Sequence, residues 1–393
     1  MVSGNGPNNK NRKGFLQIYR RSSVYVISVL ILFVVIGLLT TVAPAYRISS
    51  ETISDWTSEI ESTSFLYLLA MENRAFKEAY PDDKALPDLP DTFFQMATSI
   101  KPNDPRSLLG KEIPGMSNFA YEIIVAGEGT NYTNLPIESS PPVDETLEDR
   151  KAVIGDSDKK QDSSENSSKD GQHSTGKKEV VFLYNTHNTE SFLPHLPEVN
   201  DPDLAHHKKV NVTKISDYLA KKLEQNGIGT AVADENIMGI LNDKGWEYWQ
   251  AYSASRNVVQ KAMSRNDDFK YIIDIHRDAQ PRSETTTKIN GNPYARIMFV
   301  VGGKYENYRE NLILAKKLNE LFKERYPGLS RGVIVKKGEG SNGVYNQDLS
   351  GNALLMEVGG VGNSLEELHR TADAVADVFS DYYWDAEKVS NPK

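Results

Sequence analysis

The sequence predicts an α/β fold, a twisted and mostly parallel sheet flanked by helices, carried behind one transmembrane helix and a disordered linker. Three observations lead there. The last half of the 393-residue chain alternates short apolar runs with amphipathic stretches. A polar, proline-containing segment separates that half from what precedes it. Near the amino terminus stands one long run without charge.

That run comes first. Residues 24–44 contain VYVISVLILFVVIGLLTTVA. About 20 residues at 1.5 Å each reach ~30 Å, enough to cross a hydrocarbon core. Lys10, Arg12, Lys13, Arg20 and Arg21 precede it, while Glu51, Asp55, Glu59 and Glu61 follow Arg47 on the far side. The positive-inside rule places residues 1–23 in the cytoplasm and the remainder outside the cell membrane. Ala43-Pro44-Ala45 offers a signal-peptidase pattern, but the run exceeds the roughly 7–15 residues of a signal core. An uncleaved single-pass anchor is therefore expected. Residues 51–135 read as a juxtamembrane region punctuated by proline. Residues 136–177 are polar, charged and poor in large apolar groups, which predicts a disordered linker. A net charge of −9 argues against broad affinity for nucleic acid. The absence of cysteine excludes thiolate metal sites, disulfides and a cysteine nucleophile.

From 178 to 393 the apolar runs VVFLYNTH, GIGTAVA, YIIDIH, RIMFVVGG, GVIVK and ALLMEVGG read as strands. Between several of them lie helix-like stretches such as VTKISDYLAKKLEQNG and YRENLILAKKLNELFKERYPG, with Gly227 and Gly328 at expected helix ends. Alternation of this kind builds a parallel sheet between helices.

All seven histidines follow Pro136. His187 and His276 end two strand runs, and Glu357 ends a third. In open α/β sheets, sites form at the carboxyl ends of strands. Three strands thus bring His, His and Glu to one edge. Imidazoles suit zinc, and a catalytic zinc takes three protein ligands and keeps an open position. His207, before the helix that follows VNVTK, is the expected third ligand, with Glu190 and His206 open as alternatives. Glu357 is the expected acid/base. Arg277 and Arg296 are expected to bind substrate carboxylates. Asn342–Gln347 is read as a loop lining the groove. His195 and His369 are read as structural, and His173 as a solvated linker residue.

The motifs YNTHNTESFLPHL, VNVTKISDYL, DIHRDAQPR, INGNPYARIMFVVG, YPGLSRGVIVKKGEGSNGVYNQDLSGNALLMEVGG and FSDYYW closely resemble the stage II sporulation protein P family. That family is similar in turn to the zinc-dependent N-acetylmuramoyl-L-alanine amidases. The resemblance implies about six strands and one zinc ion. It implies cleavage of the amide between N-acetylmuramic acid and the stem peptide of peptidoglycan, and endopeptidase action on cross-links, during engulfment in sporulation. It implies engulfment partners too, a lytic transglycosylase and a membrane scaffold. It assigns metal ligation to His187 and His276 and acid/base work to Glu357. Broader amidases carry a glutamate where His207 stands, before Val210-Asn211-Val212, so His207 takes the third-ligand role by position and departs from the pattern. The competing expectation is a non-catalytic peptidoglycan-binding activator or membrane scaffold.

Overall fold

Most of the expected strands form because each is wide in β-branched and aromatic residues and short enough to be buried along its length. The computed structural model describes residues 121–155, 173–338 and 341–390, together with Leu69 and Met71. The chain divides into two units, Met1–Pro102 and Asn103–Lys393. Leu69 and Met71, helical and exposed, belong to the first. Everything below belongs to the second.

The elements run β1 (Tyr121–Ala126), a single turn α1 (Val143–Thr146), β2 (Glu179–Tyr184), α2 (Thr213–Gln225), β3 (Gly229–Val232), α3 (Ile237–Lys244) and α4 (Ala251–Arg265). They continue through β4 (Tyr271–Asp278), the turn α5 (Arg282–Thr285), a hairpin of β5 (Thr286–Ile289) and β6 (Asn292–Ala295), then β7 (Ile297–Gly302) and α6 (Tyr308–Arg325). The chain closes with β8 (Ser330–Lys336), β9 (Ala353–Gly360) and α7 (Leu365–Ser390). In α2 the buried Ile215, Tyr218, Leu219 and Leu223 recur at helical spacing. Gly227 follows its end at φ 82°, in the left-handed region that favours glycine. Gly328, also expected at a helix end, lies instead in the turn between α6 and β8.

Seven strands form the main sheet in the order β1-β8-β7-β9-β4-β2-β3. The pairs β2–β3, β2–β4, β4–β9 and β7–β8 are parallel, whereas β7–β9 and β1–β8 are antiparallel. The sheet is thus mostly parallel, as expected, with β7 and β8 reversed as a pair. Strands β4, β7, β8 and β9 are buried at every residue, because layers cover both faces. One face carries Val181, Leu183, Ile273, Ile275, Met356 and Phe299 in a core shared with α2, α6 and α7. The opposite face carries Phe182, Tyr184 and Ile272 under α3 and α4, and Met298, Val300, Ile334 and Leu355 under Leu135, Tyr252 and Tyr345.

The expected domain boundaries need correction. Strand β1, placed within the juxtamembrane region 51–135, is an edge strand of this sheet. Residues 134–150, divided by the expected boundary between the juxtamembrane region 51–135 and the linker 136–177, cross the second face, with Leu135, Ser139 and Thr146 fully buried. Composition hid this because polar contacts fix the segment. Ile137 N donates to Asp278 Oδ1 at 2.9 Å, Ala279 N to Ile137 O at 2.9 Å, and Gln280 Nε2 to Leu135 O at 2.9 Å. The described residues resume at His173, whose ring stacks on Trp384 at 5.4 Å. The expected tail 1–23, the span 24–44 and residues 156–172 of the linker lie outside the described residues. Among the described residues no helix is long and apolar enough to cross a membrane.

Asp278 joins this strap to the sheet. Its other oxygen pairs with Arg331, and both side chains are buried. Replacing Arg331 by Met would leave a buried carboxylate uncompensated, at a cost of about 3–5 kcal/mol. Urea unfolding of Arg331→Met should show that loss, and an unchanged midpoint would refute the role given to this pair.

Candidate active site

The site grows out of one register. Strands β4 and β9 lie side by side and parallel, with His276 directly opposite Glu357. Side chains alternate along a strand, so both project to the second face, where they are 1% and 2% exposed. His187 reaches them from the turn after β2. That turn is held by β4 and α2: Thr186 N donates to Asp274 Oδ1 at 2.9 Å, Asn185 Nδ2 to Ile275 O at 2.6 Å, and Ser216 Oγ to Asn185 Oδ1 at 2.9 Å. The His187 ring stacks on Tyr248, with centroids 4.3 Å apart and planes 6° from parallel. It meets His276 edge-on at 5.2 Å. Glu190, from the same turn, accepts from Arg277 N at 3.2 Å and places Oε2 3.7 Å from His276 Nδ1.

Burial sets the electrostatics. It drives His187 down to about 3, helped by the charge on His276. Burial also pulls on His276, but Asp274, whose Oδ1 stands 3.0 Å from Nε2, and the carboxylates of Glu190 and Glu357 carry it up to about 10. Glu357 is raised to about 8 by burial, against the opposing pull of His276. Glu190 is raised by burial as well. Buried atoms here without a hydrogen-bond partner include His187 Nδ1, His206 Nε2, Glu357 Oε2 and the hydroxyls of Tyr248 and Tyr252. Each such atom costs about 1–3 kcal/mol, so their clustering points to chemistry rather than to packing. Imidazole nitrogens and carboxylate oxygens are the donors zinc takes. Ligand atoms on a tetrahedral zinc with ~2.0 Å bonds stand about 3.3 Å apart, near the His276–Glu190 separation. The residues fit the ion in kind, although among the described residues no three of them already stand in ligating geometry.

The other expected site residues fall elsewhere. His207 is committed to the backbone: Nδ1 accepts from Val210 N at 2.8 Å and Lys209 N at 3.1 Å, and Nε2 stands 2.9 Å from Arg150 O. With both nitrogens engaged, it braces the approach to α2 and has no lone pair to offer a metal. Arg277 is 1% exposed and donates to Ser139 Oγ at 2.7 Å, Ser191 O at 3.1 Å and Ala205 O at 3.2 Å. Arg296 donates to Glu128 O at 2.6 Å and Gly328 O at 3.0 Å. Neither guanidinium is arranged to clamp a substrate carboxylate; both tie loops together. His206 keeps Nδ1 3.2 Å from Thr189 Oγ1. His195 caps α7, accepting from Leu365 N at 2.9 Å. His369 is buried and stacks on Tyr218 at 4.2 Å, away from a solvated helix face. In the loop 342–347, Tyr345 and Asn346 take φ values of 53° and 55°, and Asn346 Nδ2 donates to Ser255 Oγ at 2.9 Å.

Sequence reasoning missed Asp274, Tyr248, Tyr252, Glu138 and Lys336. Asp274 was findable, since a carboxylate two residues before His276 inside an apolar strand must share its face. A cleft of about 360 Å³ borders the His187 turn and is lined in part by Asn185, Asn188, Thr189, Asn211 and Asn236. Because His207 braces backbone, His207→Ala should lower stability by about 1 kcal/mol and leave zinc content unchanged. Denaturant unfolding with elemental analysis checks this, and loss of zinc in a folded His207→Ala chain would restore it as a ligand.

The family model described as Stage II sporulation protein P (SpoIIP) matches residues 103–380, starting where the second structural unit starts. Stage II sporulation protein P of Bacillus subtilis (strain 168) is 46% identical over 368 residues, which is 93% of this chain and 92% of that protein. Among solved structures, the CwlD amidase from Clostridioides difficile in complex with the GerS lipoprotein aligns with 53% of this chain and 98% of its own, at 14% identity and a TM-score of 0.33. The N-acetylmuramyl-L-alanine amidase Ami1 from Mycobacterium smegmatis aligns with 52% of this chain and 95% of its own, at 14% identity and a TM-score of 0.29. On the family match and the Bacillus subtilis relative, this chain belongs to the stage II sporulation protein P family.

Proposed function

We propose that this chain is a zinc-dependent peptidoglycan hydrolase acting in sporulation, cleaving the amide between N-acetylmuramic acid and the stem peptide and also peptide cross-links. The observation that carries the reading is the His276–Glu357 pair on adjacent parallel strands, with His187 and Glu190 beside it and buried donor atoms unpartnered. His187, His276 and Glu190 would hold the ion; Glu190 takes the role first expected of His207. Zinc, when bound, supplies Lewis acidity and brings the pKa of its water toward ~7.

The chain's own residues do the rest. Glu357 accepts the proton of the attacking water and then delivers it to the nitrogen of the departing amine. Asp274, 3.0 Å from His276 Nε2, fixes that imidazole's orientation. Tyr248 and Tyr252 pack the rings of His187 and His276 and keep bulk water from them. The membrane topology belongs to the same proposal, with residues 24–44 as an uncleaved anchor and the hydrolase outside the cell. So do the engulfment partners, a lytic transglycosylase and a membrane scaffold.

Glu357→Gln should retain zinc and lose hydrolysis of purified cell walls by about 10²–10⁴-fold. Wild-type digests should release peptides with free amino-terminal alanine. Full activity in the variant would overturn the acid/base role, and wall binding without such products would favour the non-catalytic activator. Protease added outside intact protoplasts should remove the described domain; complete protection would reverse the topology.

A further inference from the structure

Lys336 ends β8 with its side chain 1% exposed, and Glu138 Oε1 lies 3.0 Å from its ammonium. The ring centroids of Tyr121 and Tyr345 stand 5.0 and 6.0 Å away. The register Val300↔Ile334 and Val300↔Leu355, with Gly302↔Lys336, puts Lys336 on the sheet face that carries Glu357 and His276. The Lys336 charge acts on Glu357 and on His187, and the Glu138 charge acts on His187 and His276. This ion pair therefore lies within the field of the site.

The pair also has an unusual asymmetry. Lys336 is sunk in the sheet face, where an unpaired ammonium would be costly. Glu138 keeps 28% of its side chain exposed. Its neighbours are pinned, Ile137 N donating to Asp278 Oδ1 and Ser139 Oγ accepting from Arg277 Nη1. One side chain can thus swing out while the strap stays in place. The buried ammonium would then require another carboxylate. Arg277 and Arg296, first expected to bind substrate carboxylates, are occupied by backbone and hydroxyl oxygens.

We propose that Lys336 is the carboxylate-binding residue of the sheet face that carries Glu357 and His276, and that Glu138 holds it as an internal stand-in for a substrate carboxylate. The ligand class is a peptide with a free carboxylate, and the assignment of that peptide to peptidoglycan stems rests on the hydrolase reading above. Exchange of one carboxylate for another keeps Lys336 paired throughout. The incoming peptide competes with a tethered group of effective concentration on the order of millimolar or higher. Removing the Glu138 charge therefore strengthens binding.

The test is calorimetric titration of the detergent-solubilised full chain with the dipeptide alanyl-glutamate and with its diamide. The wild type should prefer the dipeptide by about tenfold or more. Glu138→Gln should tighten the dipeptide by about another tenfold without changing the diamide. Lys336→Gln should abolish the preference. Equal binding of the two peptides by Glu138→Gln, or binding of neither, would overturn the proposal, as would an unchanged dipeptide affinity in that variant. If Lys336→Gln does not fold by circular dichroism, the Glu138→Gln comparison decides alone. The dipeptide contains no muramoyl amide, so binding is read whether or not the chain hydrolyses the wall. Failure of the hydrolase reading would show in the Glu357→Gln digests instead.

Discussion

The register of β4 against β9 is the constraint on which this molecule depends. A slip of one residue turns every side chain of a strand to the opposite face. Here that would turn His276 onto the face of the apolar core under α7 and away from Glu357. The register is held by alternation itself: Ile273 and Ile275 fill one core, as do Leu354, Met356 and Val358 across from them. Apolar packing on one face thus fixes the geometry of a polar site on the other.

The run His276-Arg277-Asp278 divides its labour accordingly. His276 enters the site. Arg277 points the other way and fastens the loops at Ser191 and Ala205 together with Ser139. Asp278 accepts from Ile137 N and pairs with Arg331. Arg277, read from sequence as substrate-facing, and Asp278 are what hold the surroundings of the site in place. Buried polar networks of this kind are stabilising only when each member is satisfied, and theirs is. The site is where satisfaction fails, at His187 Nδ1 and Glu357 Oε2.

The parts legible in sequence were those written in strands. Apolar runs in VVFLYNTH, YIIDIH and ALLMEVGG located β2, β4 and β9, and the terminal residues of those runs located His187, His276 and Glu357. Edge strand β1 and the strap were not legible. YEIIVA lies far from its partner β8 in sequence, and the strap has almost no large apolar groups, so its order comes from hydrogen bonds with β4 that no local pattern encodes. His207 shows the converse limit. Its spacing before Asn211 suited a ligand, yet spacing says nothing of where a ring's lone pairs go, and backbone amides at Lys209 and Val210 take one of them.

A site built on the face of a sheet is rigid, since its side chains stand on strands buried from end to end. Rigid placement serves a reaction that needs donor atoms fixed before the substrate arrives. It also leaves little room for selecting a substrate, because the sheet face cannot move to meet one. Selection then falls to what lies over that face: the turn carrying His187, the tyrosines at the start of α4, and the strap. Of these the strap brings a partly exposed charge into the field of the site, through Glu138. A family that shared the strands but differed in residues 134–150 would keep the donor set and change what it admits.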